Sequence, residues 1–318
     1  LFSIFTLVSC QSSPKNEAGK QNEVELVAEK QLAFPLDEQT YYLSKSMFQF
    51  EENGKEYLHF ENTQKSLYDI VIFDIENQQI AKRIPLHKTG PNGLPAVYGS
   101  RPSPDSKQIL ISQNNIGRLS TINNQGEVVH NYPVKTPEGR FTTFFFCSYY
   151  NAPAFVKDSC IFLNQGIFKP NMKREDWPQT HMFASQNLKT GKFEWVPIFY
   201  PPIFKEEYEN IDGGYGFSYD YNYKENRLVC GFFGYDSLMV TDDLKHIRWY
   251  NAKSKYLKSM KPKLGNAMAG INSIIEFCEA PMYWHIMYDK YRDVYYRFAE
   301  MPYKLASNES PYDEPKGK

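Results

Sequence analysis

The residues of this 318-residue chain that could do chemistry are scattered along it. Its 6 histidines include no H-x-x-x-H or H-x-H pair, so no local zinc site is written in the sequence. Its 5 cysteines include no C-x-x-C, which disfavours thiol redox chemistry and structural zinc. There is no G-x-S-x-G nucleophile turn, Walker loop or dinucleotide-type glycine pattern, and no cofactor is expected. Gly213-Gly214-Tyr215-Gly216 leads into Tyr219, Tyr221 and Tyr223, which reads as a packed inner strand because no helix follows to hold a phosphate. What remains is a set of polar groups on connections. His87 and Lys88 could take an anionic group, although Gly90, Pro91 and Gly93 read first as setting the path of their loop. Asn92, Arg101, Asn114 and Asn115 follow. Trp177, beside Arg174 and Asp176 in the long connection 166–180, could stack on a ligand or fold back as a plug. Tyr235, Asp236, Asp289 and Arg292 complete the candidate binding set. Asp236 and Asp289 are the carboxylates on which a sugar or ester hydrolase, or a lyase, would rest.

Composition narrows the partners. Lys and Arg total 36 against 37 Asp and Glu, a net charge of -1. That balance argues against a nucleic-acid partner, which needs a basic surface. It also argues against binding an anionic membrane through the folded surface. The 24 Tyr, 23 Phe and 4 Trp suit half-buried strand positions, and carbohydrate or peptide stacking is the other use of such wealth.

The elements that must position these groups repeat. An apolar strand, a polar loop, a second apolar strand, a tight turn and a third strand recur along the body. The three strands fall at 57–60, 69–75 and 80–86, then at 108–112, 118–122 and 127–133. They recur at 160–163, 181–185 and 192–197, then at 227–230, 237–241 and 246–250. A fifth copy has 282–288 and 293–299. The turns before each third strand are rich in Asn, Asp and Gly, which tolerate left-handed backbone. The middle strands are about 50 to 60 residues apart, the length of a four-stranded propeller blade with variable loops. A β-sandwich or barrel also gives spaced strands, but it would vary the spacing more. Gln31–Leu36 matches the third strand at 81–86 and is expected as a lone outer strand that closes the last blade. The expected fold is all-β and six-bladed, with about five blades in 24–306 and a polar tail at 307–318. The binding face would collect the outer-to-inner and second-to-third-strand connections.

The start of the chain supplies an address. Residues 1–9 are apolar, uncharged and far short of the roughly 20 residues that span a bilayer. They fit the apolar region of a secretory signal. Leu7-Val8-Ser9-Cys10 resembles the lipobox of bacterial lipoproteins, in which the cysteine is lipidated. Residues 11–23 are polar and read as a tether. Gln11 after Cys10 points to the outer membrane, with multiple acyl chains as the anchor. In such an oxidising compartment Cys147, Cys160, Cys230 and Cys278 could pair, Cys147 with Cys160 first, because they flank a turn at Ala152-Pro153.

The lipobox, the blade-length repeats, the aromatic strands and the loop His87-Lys88-Thr89-Gly90-Pro91-Asn92-Gly93 together resemble a family of Bacteroides-type lipoproteins. That family is a domain of unknown function with a six-bladed, TolB-like propeller. Pro104-Asp105-Ser106-Lys107 is similar to a turn common in such propellers. A rigid ring with aromatic-rich, variable loops and no paired catalytic groups points to a lipid-anchored binding or scaffold module for a carbohydrate, a peptide or an envelope protein. The resemblance carries over no catalytic residue. The hydrolase or lyase remains the alternative.

Overall fold

A computed structural model describes residues 31–41, 44, 46–62, 68–103, 106–113, 117–135, 145–146, 148–149, 152–165, 178–201, 217–257 and 281–301. Strands dominate them, in a succession of small antiparallel sheets. The first sheet runs in order β1 (Met47–Glu52), β2 (Lys55–Asn62), β3 (Asp69–Asp74) and β4 (Gln79–Pro85). The second is β5 (Gly99–Pro102), β6 (Ile109–Gln113), β7 (Arg118–Ile122) and β8 (Val128–Pro133). In the third, β9 (Phe145–Phe146) pairs with β13 (Cys160–Gln165), and β10 (Ser148–Tyr149) pairs separately with β11 (Ala152–Pro153). The third sheet itself runs β12 (Phe155–Lys157), β13, β14 (Phe183–Asn187) and β15 (Phe193–Trp195). The fourth is β16 (Phe217–Asn222), β17 (Arg227–Phe232), β18 (Ser237–Thr241) and β19 (Arg248–Asn251), and β20 (Met282–Asp289) with β21 (Val294–Glu300) forms a last pair.

This up-and-down order, strand after strand, is the topology of a propeller blade, and the fold is all-β and propeller-like. The expected strand triplets correspond to β2–β4, β6–β8, β13–β15 and β17–β19. Each sheet has a further strand on the inner side, of which only the fourth, around Tyr219 and Tyr221, is legible as a strand in the sequence.

Local chemistry explains the turns. Asn53 and Gly54 join β1 to β2 with φ of 53° and 75°, the left-handed pair that a two-residue hairpin needs. Gly126, at φ 82°, closes the turn between β7 and β8, and a Cβ there would lie 2.0 Å from the Pro85 carbonyl oxygen. No other residue fits that approach.

The chain divides into two compact units, one carrying β1–β15 and the other β16–β21. In the first unit, sheet packs on sheet through alternate residues. Ile70, Ile72 and Ile84 meet Ile109, Ile111 and Ile122. Leu110 and Leu119, on the opposite face of the second sheet, meet Ile161, Leu163 and Ala184. A strand buried on both faces loses the apolar-polar alternation, as β3 and β6 do throughout. Each such side chain stabilises by roughly 1.5–3 kcal/mol relative to exposure.

Two differences from expectation concern placement. Gln31–Leu36 makes no strand ladder. Instead Phe34 lies 5.2 Å from the Phe73 ring on the face of the first sheet opposite the second, and the Ala33 N–H donates to Gln78 Oε1 at 3.1 Å. Arg83 then holds Asp37 and Asp69 together. The final hairpin is out of phase by one strand. The Tyr283 N–H meets the Phe233 carbonyl at 2.9 Å and the Tyr288 N–H meets Asp220 Oδ2 at 2.9 Å, so β20 runs in the same direction as β16 and lies beside it. It occupies an inner position, not a second-strand position.

Candidate functional site

The described chemistry concentrates where β2 meets β5 in the first unit. On β2, Leu58 and Phe60 face the Phe34 and Phe73 side, and the period of two turns His59 and Glu61 toward β5. His59 Nε2 lies 2.8 Å from Ser100 Oγ, and that hydroxyl donates to Glu61 Oε2 at 2.9 Å. All three residues are buried. The single hydroxyl proton goes to the carboxylate, so the ring proton is assigned to Nε2. His59 Nδ1 is then a buried acceptor with no partner among the described residues. Burial, aided by the charge of Arg101, holds the imidazole pKa down to about 3 and keeps it neutral. Arg101 stands on β5 with its guanidinium 5.2 Å from the centre of the Phe48 ring, and Phe48 stands edge-on to His59 at 6.3 Å. Arg101 Nε is also buried and has no partner among the described residues.

Ser100, His59 and Glu61 are not a nucleophilic triad. A triad places the base between the serine and the acid, with the acid orienting the second ring nitrogen. Here serine is the bridge, its proton is committed to Glu61, and Nδ1 meets no carboxylate.

The loop that carries three sequence candidates is built by its own backbone. His87 bridges to Gly93, and its carbonyl accepts from the Leu94 N–H at 2.6 Å. Leu86 and Leu94 anchor the ends in the core. Lys88 sits 5.0 Å over the Tyr68 ring, and both His87 and Lys88 are exposed. Asn92 Oδ1 accepts from the Val128 N–H at 3.1 Å, which pins the loop to β8. Arg101 is not on a loop at all but within β5, and it is the sequence candidate that meets the buried cluster.

In the second unit Asp236 Oδ1 accepts from the Tyr283 hydroxyl at 2.9 Å, while that oxygen accepts from the Ser254 N–H at 2.8 Å. Burial first, with Asp236 beside it, pushes the Tyr283 phenol up to about 12. Arg297 lies 3.3 Å over the Tyr283 ring and donates to the carbonyls of Phe232, Tyr235, Asp236 and Ala252. Tyr235 and Asp236 are thus parts of a braced turn. Asp289 accepts from the N–H groups of Tyr291 and Arg292 and pairs with the Arg292 guanidinium at 2.8 Å. Burial opposes its ionisation, but Arg292 and the turn N–H groups outweigh that and hold its carboxyl below the usual range.

Asp289 and Arg292 were expected on one face with Asp236, and the phase of β20 corrects this. The β20–β21 turn lies beside the β16–β17 turn, with Lys224 and Asp293 3.4 Å apart, whereas Asp236 is held at the opposite end of β20 by Tyr283. Six residue steps of strand lead from Tyr283 to Asp289, roughly 20 Å at 3.3 Å per residue. Paired glycosidase carboxylates stand about 5 to 9.5 Å apart. These two do not form such a pair.

Trp177, Asn114, Asn115, Cys10 and Cys147 lie outside the described residues. Cys160, the proposed partner of Cys147, is a free thiol with Asn187 Nδ2 3.6 Å from its sulfur, and Cys230 is free and buried. Among the described residues no three His, Cys, Asp or Glu side chains gather as metal ligands.

Residues 23–316 match the model of a domain of unknown function, DUF4221. The chain belongs to the DUF4221 family. A DUF4221 member from Bacteroides vulgatus ATCC 8482, solved by crystallography at 1.75 Å, is 84% identical, with a TM-score of 0.86 over 94% of this chain and 82% of its own. A putative exported protein from Bacteroides fragilis NCTC 9343 shares the fold alone, at 10% identity and a TM-score of 0.51 over 84% of this chain and 74% of its own. No curated protein matches.

In this DUF4221 chain, sequence reasoning missed His59, Glu61, Ser100, Tyr283 and Arg297. A charged residue inside an apolar strand is the signal that was available. Arg297 interrupts the aromatic run Tyr295-Tyr296-Arg297-Phe298, and Glu61 follows His59-Phe60. Such residues enter a core only with partners.

Proposed function

We propose that this chain is a binding or scaffold module of the cell envelope, a six-bladed TolB-like ring anchored to the outer membrane by lipid on Cys10. Its partner is a carbohydrate, a peptide or an envelope protein. One observation carries the non-catalytic reading. The two carboxylates best placed to act as acid and base are each bound into their own turns and held at opposite ends of β20, whose span from Tyr283 to Asp289 is roughly 20 Å. The lipobox-like Leu7-Val8-Ser9-Cys10 and the polar tether 11–23 support the anchor.

The test is turnover. The purified protein is incubated with a panel of aryl glycosides and aryl esters, beside Asp236→Asn and Asp289→Asn. The expected result is no release above buffer for any of the three, with both variants folded. Release by the natural chain that falls a hundredfold or more in either variant would establish the hydrolase and overturn this reading.

A further inference from the structure

The outermost strand of the fourth sheet holds aromatic surface in solvent. All four residues of β19 are exposed, Trp249 at 41% and Tyr250 at 50% among them. The other outermost strands described, β4, β8 and β15, each turn some residues inward. An open strand edge ordinarily carries charged groups. Here the charge is turned away. Arg248 points to the opposite face of the sheet from Trp249 and is paired there with Asp242 at 2.5 Å.

The register defines what surrounds the indole. Met239 pairs with Trp249 and Ser237 with Asn251, so these four side chains share a face. Phe232 stands on that face too, two residues past Cys230, which pairs with Met239. The indole reaches across β18 to Phe232, with ring centres 6.1 Å apart and planes 30° from parallel, and the small Ser237 lets it pass. Tyr235 meets it edge-on at 5.8 Å. Two aromatic contacts thus fix the ring while much of it stays open. Around it, the Trp249 N–H, the Tyr235 and Ser237 hydroxyls and Asn251 Nδ2 have no hydrogen-bond partner among the described residues. Asn251 itself is set in place, because its Oδ1 accepts from the Lys253 N–H at 3.2 Å. No residue of β16–β19 on this face is charged.

Size and polarity select the ligand. A protein partner needs roughly 800 Å² on each side, whereas one large aromatic side chain offers about 150–250 Å². A single fixed ring matches one sugar residue. A pyranose presents C–H groups on its ring face, which suit the negative face of an indole. It presents hydroxyls around its rim, which both donate and accept, as the amide and hydroxyls beside Trp249 do. The lack of charge favours a neutral sugar over a sugar acid or an amino sugar.

We propose that Trp249, Tyr235, Ser237 and Asn251 form a surface subsite for one pyranose of a neutral oligosaccharide, stacked on the Trp249 ring and hydrogen-bonded at its rim. The subsite rests on the reading of the chain as a binding module and names its ligand class.

Isothermal titration of the full chain with cellotetraose, maltotetraose and β-1,4-galactotetraose tests it, beside a Ser-Gly hexapeptide that offers hydroxyls without a ring face. At least one of the three sugars binds, and binds tighter than the peptide. Trp249→Ala weakens it about tenfold or more. Asn251→Ala weakens it severalfold, and both variants keep the unfolding midpoint because the site is exposed. Tyr250→Ala, which removes the more exposed ring from the opposite face, leaves binding unchanged. The proposal is overturned if none of the sugars gives heat, if the peptide binds as tightly, or if sugar binding survives Trp249→Ala. Each of those outcomes sinks this subsite and leaves the module reading intact. The turnover assay alone sinks that reading.

Discussion

His59 shows how one buried side chain shapes the behaviour of the whole. Its folded pKa, about 3, lies below the ordinary 6.5, so the unfolded chain takes up the extra proton. The stability from keeping it neutral is complete above pH 6.5 and drains away as pH falls toward 3. Between pH 7 and pH 5 the natural chain should lose about 2 kcal/mol more than His59→Gln, which cannot titrate. Urea unfolding at the two pH values measures this, and parallel losses in both proteins would contradict it. Arg297 makes a second claim at this scale. Its planar fork serves four backbone carbonyls, which an ammonium cannot reach together. Arg297→Lys should cost about 2–4 kcal/mol in the same assay. The candidate site was legible only in part, for a physical reason. Arg101 is conspicuous as a charge, but its meaning depends on His59 and Phe48, and His59 meets Ser100 across 41 residues of chain. Local pattern shows which residues are polar and says nothing of which polar residues converge.

Among the elements, the second and third strands of each sheet were legible as largely buried apolar runs, and the fourth strands, which are mostly exposed, through the turn residues that precede them. The inner strands of the first three sheets were not. Met47–Glu52 alternates exposed and half-buried residues, Gly99–Pro102 contains both Gly and Pro, and Phe155–Lys157 has three residues. In the last hairpin the inner strand β20 was read as a second strand, which misphased the pair. Side chains on β16 fix the true phase. Ser218 Oγ accepts from the Ile286 N–H at 2.7 Å and Asp220 Oδ2 from the Tyr288 N–H at 2.9 Å. Ser46 Oγ and the Ser100 N–H make the corresponding, longer contact of 3.4 Å between the first two sheets. Asp220→Ala should therefore cost about 1–3 kcal/mol by leaving a strand N–H unpaired. Hydrogen exchange at Tyr288 should speed up with it, and unchanged protection there would refute the clamp. Gly126→Ala should cost at least ~2 kcal/mol, because it meets the Pro85 carbonyl and adopts a left-handed φ. A melting temperature within a degree of the natural chain would show that the turn relaxes freely.

For the molecule as a whole, the net charge of -1 gives the folded surface little pull toward an anionic membrane, and the membrane contact we propose is lipid on Cys10. On that proposal acyl chains would supply the anchoring, since one chain holds marginally and two or more hold stably. Under the same proposal the polar segment 11–23 would serve as the tether between anchor and propeller-like body. The account stands on this anchored presentation, so the direct measurement is the fractionation of the natural protein and of Cys10→Ala, each expressed with its native leader and followed by radiolabelled palmitate. The natural protein should sediment with membranes, carry label and extract only with detergent. Cys10→Ala should carry no label and either leave the membrane or persist as an unprocessed, longer form. Label and detergent-dependent extraction unchanged in Cys10→Ala would contradict the account.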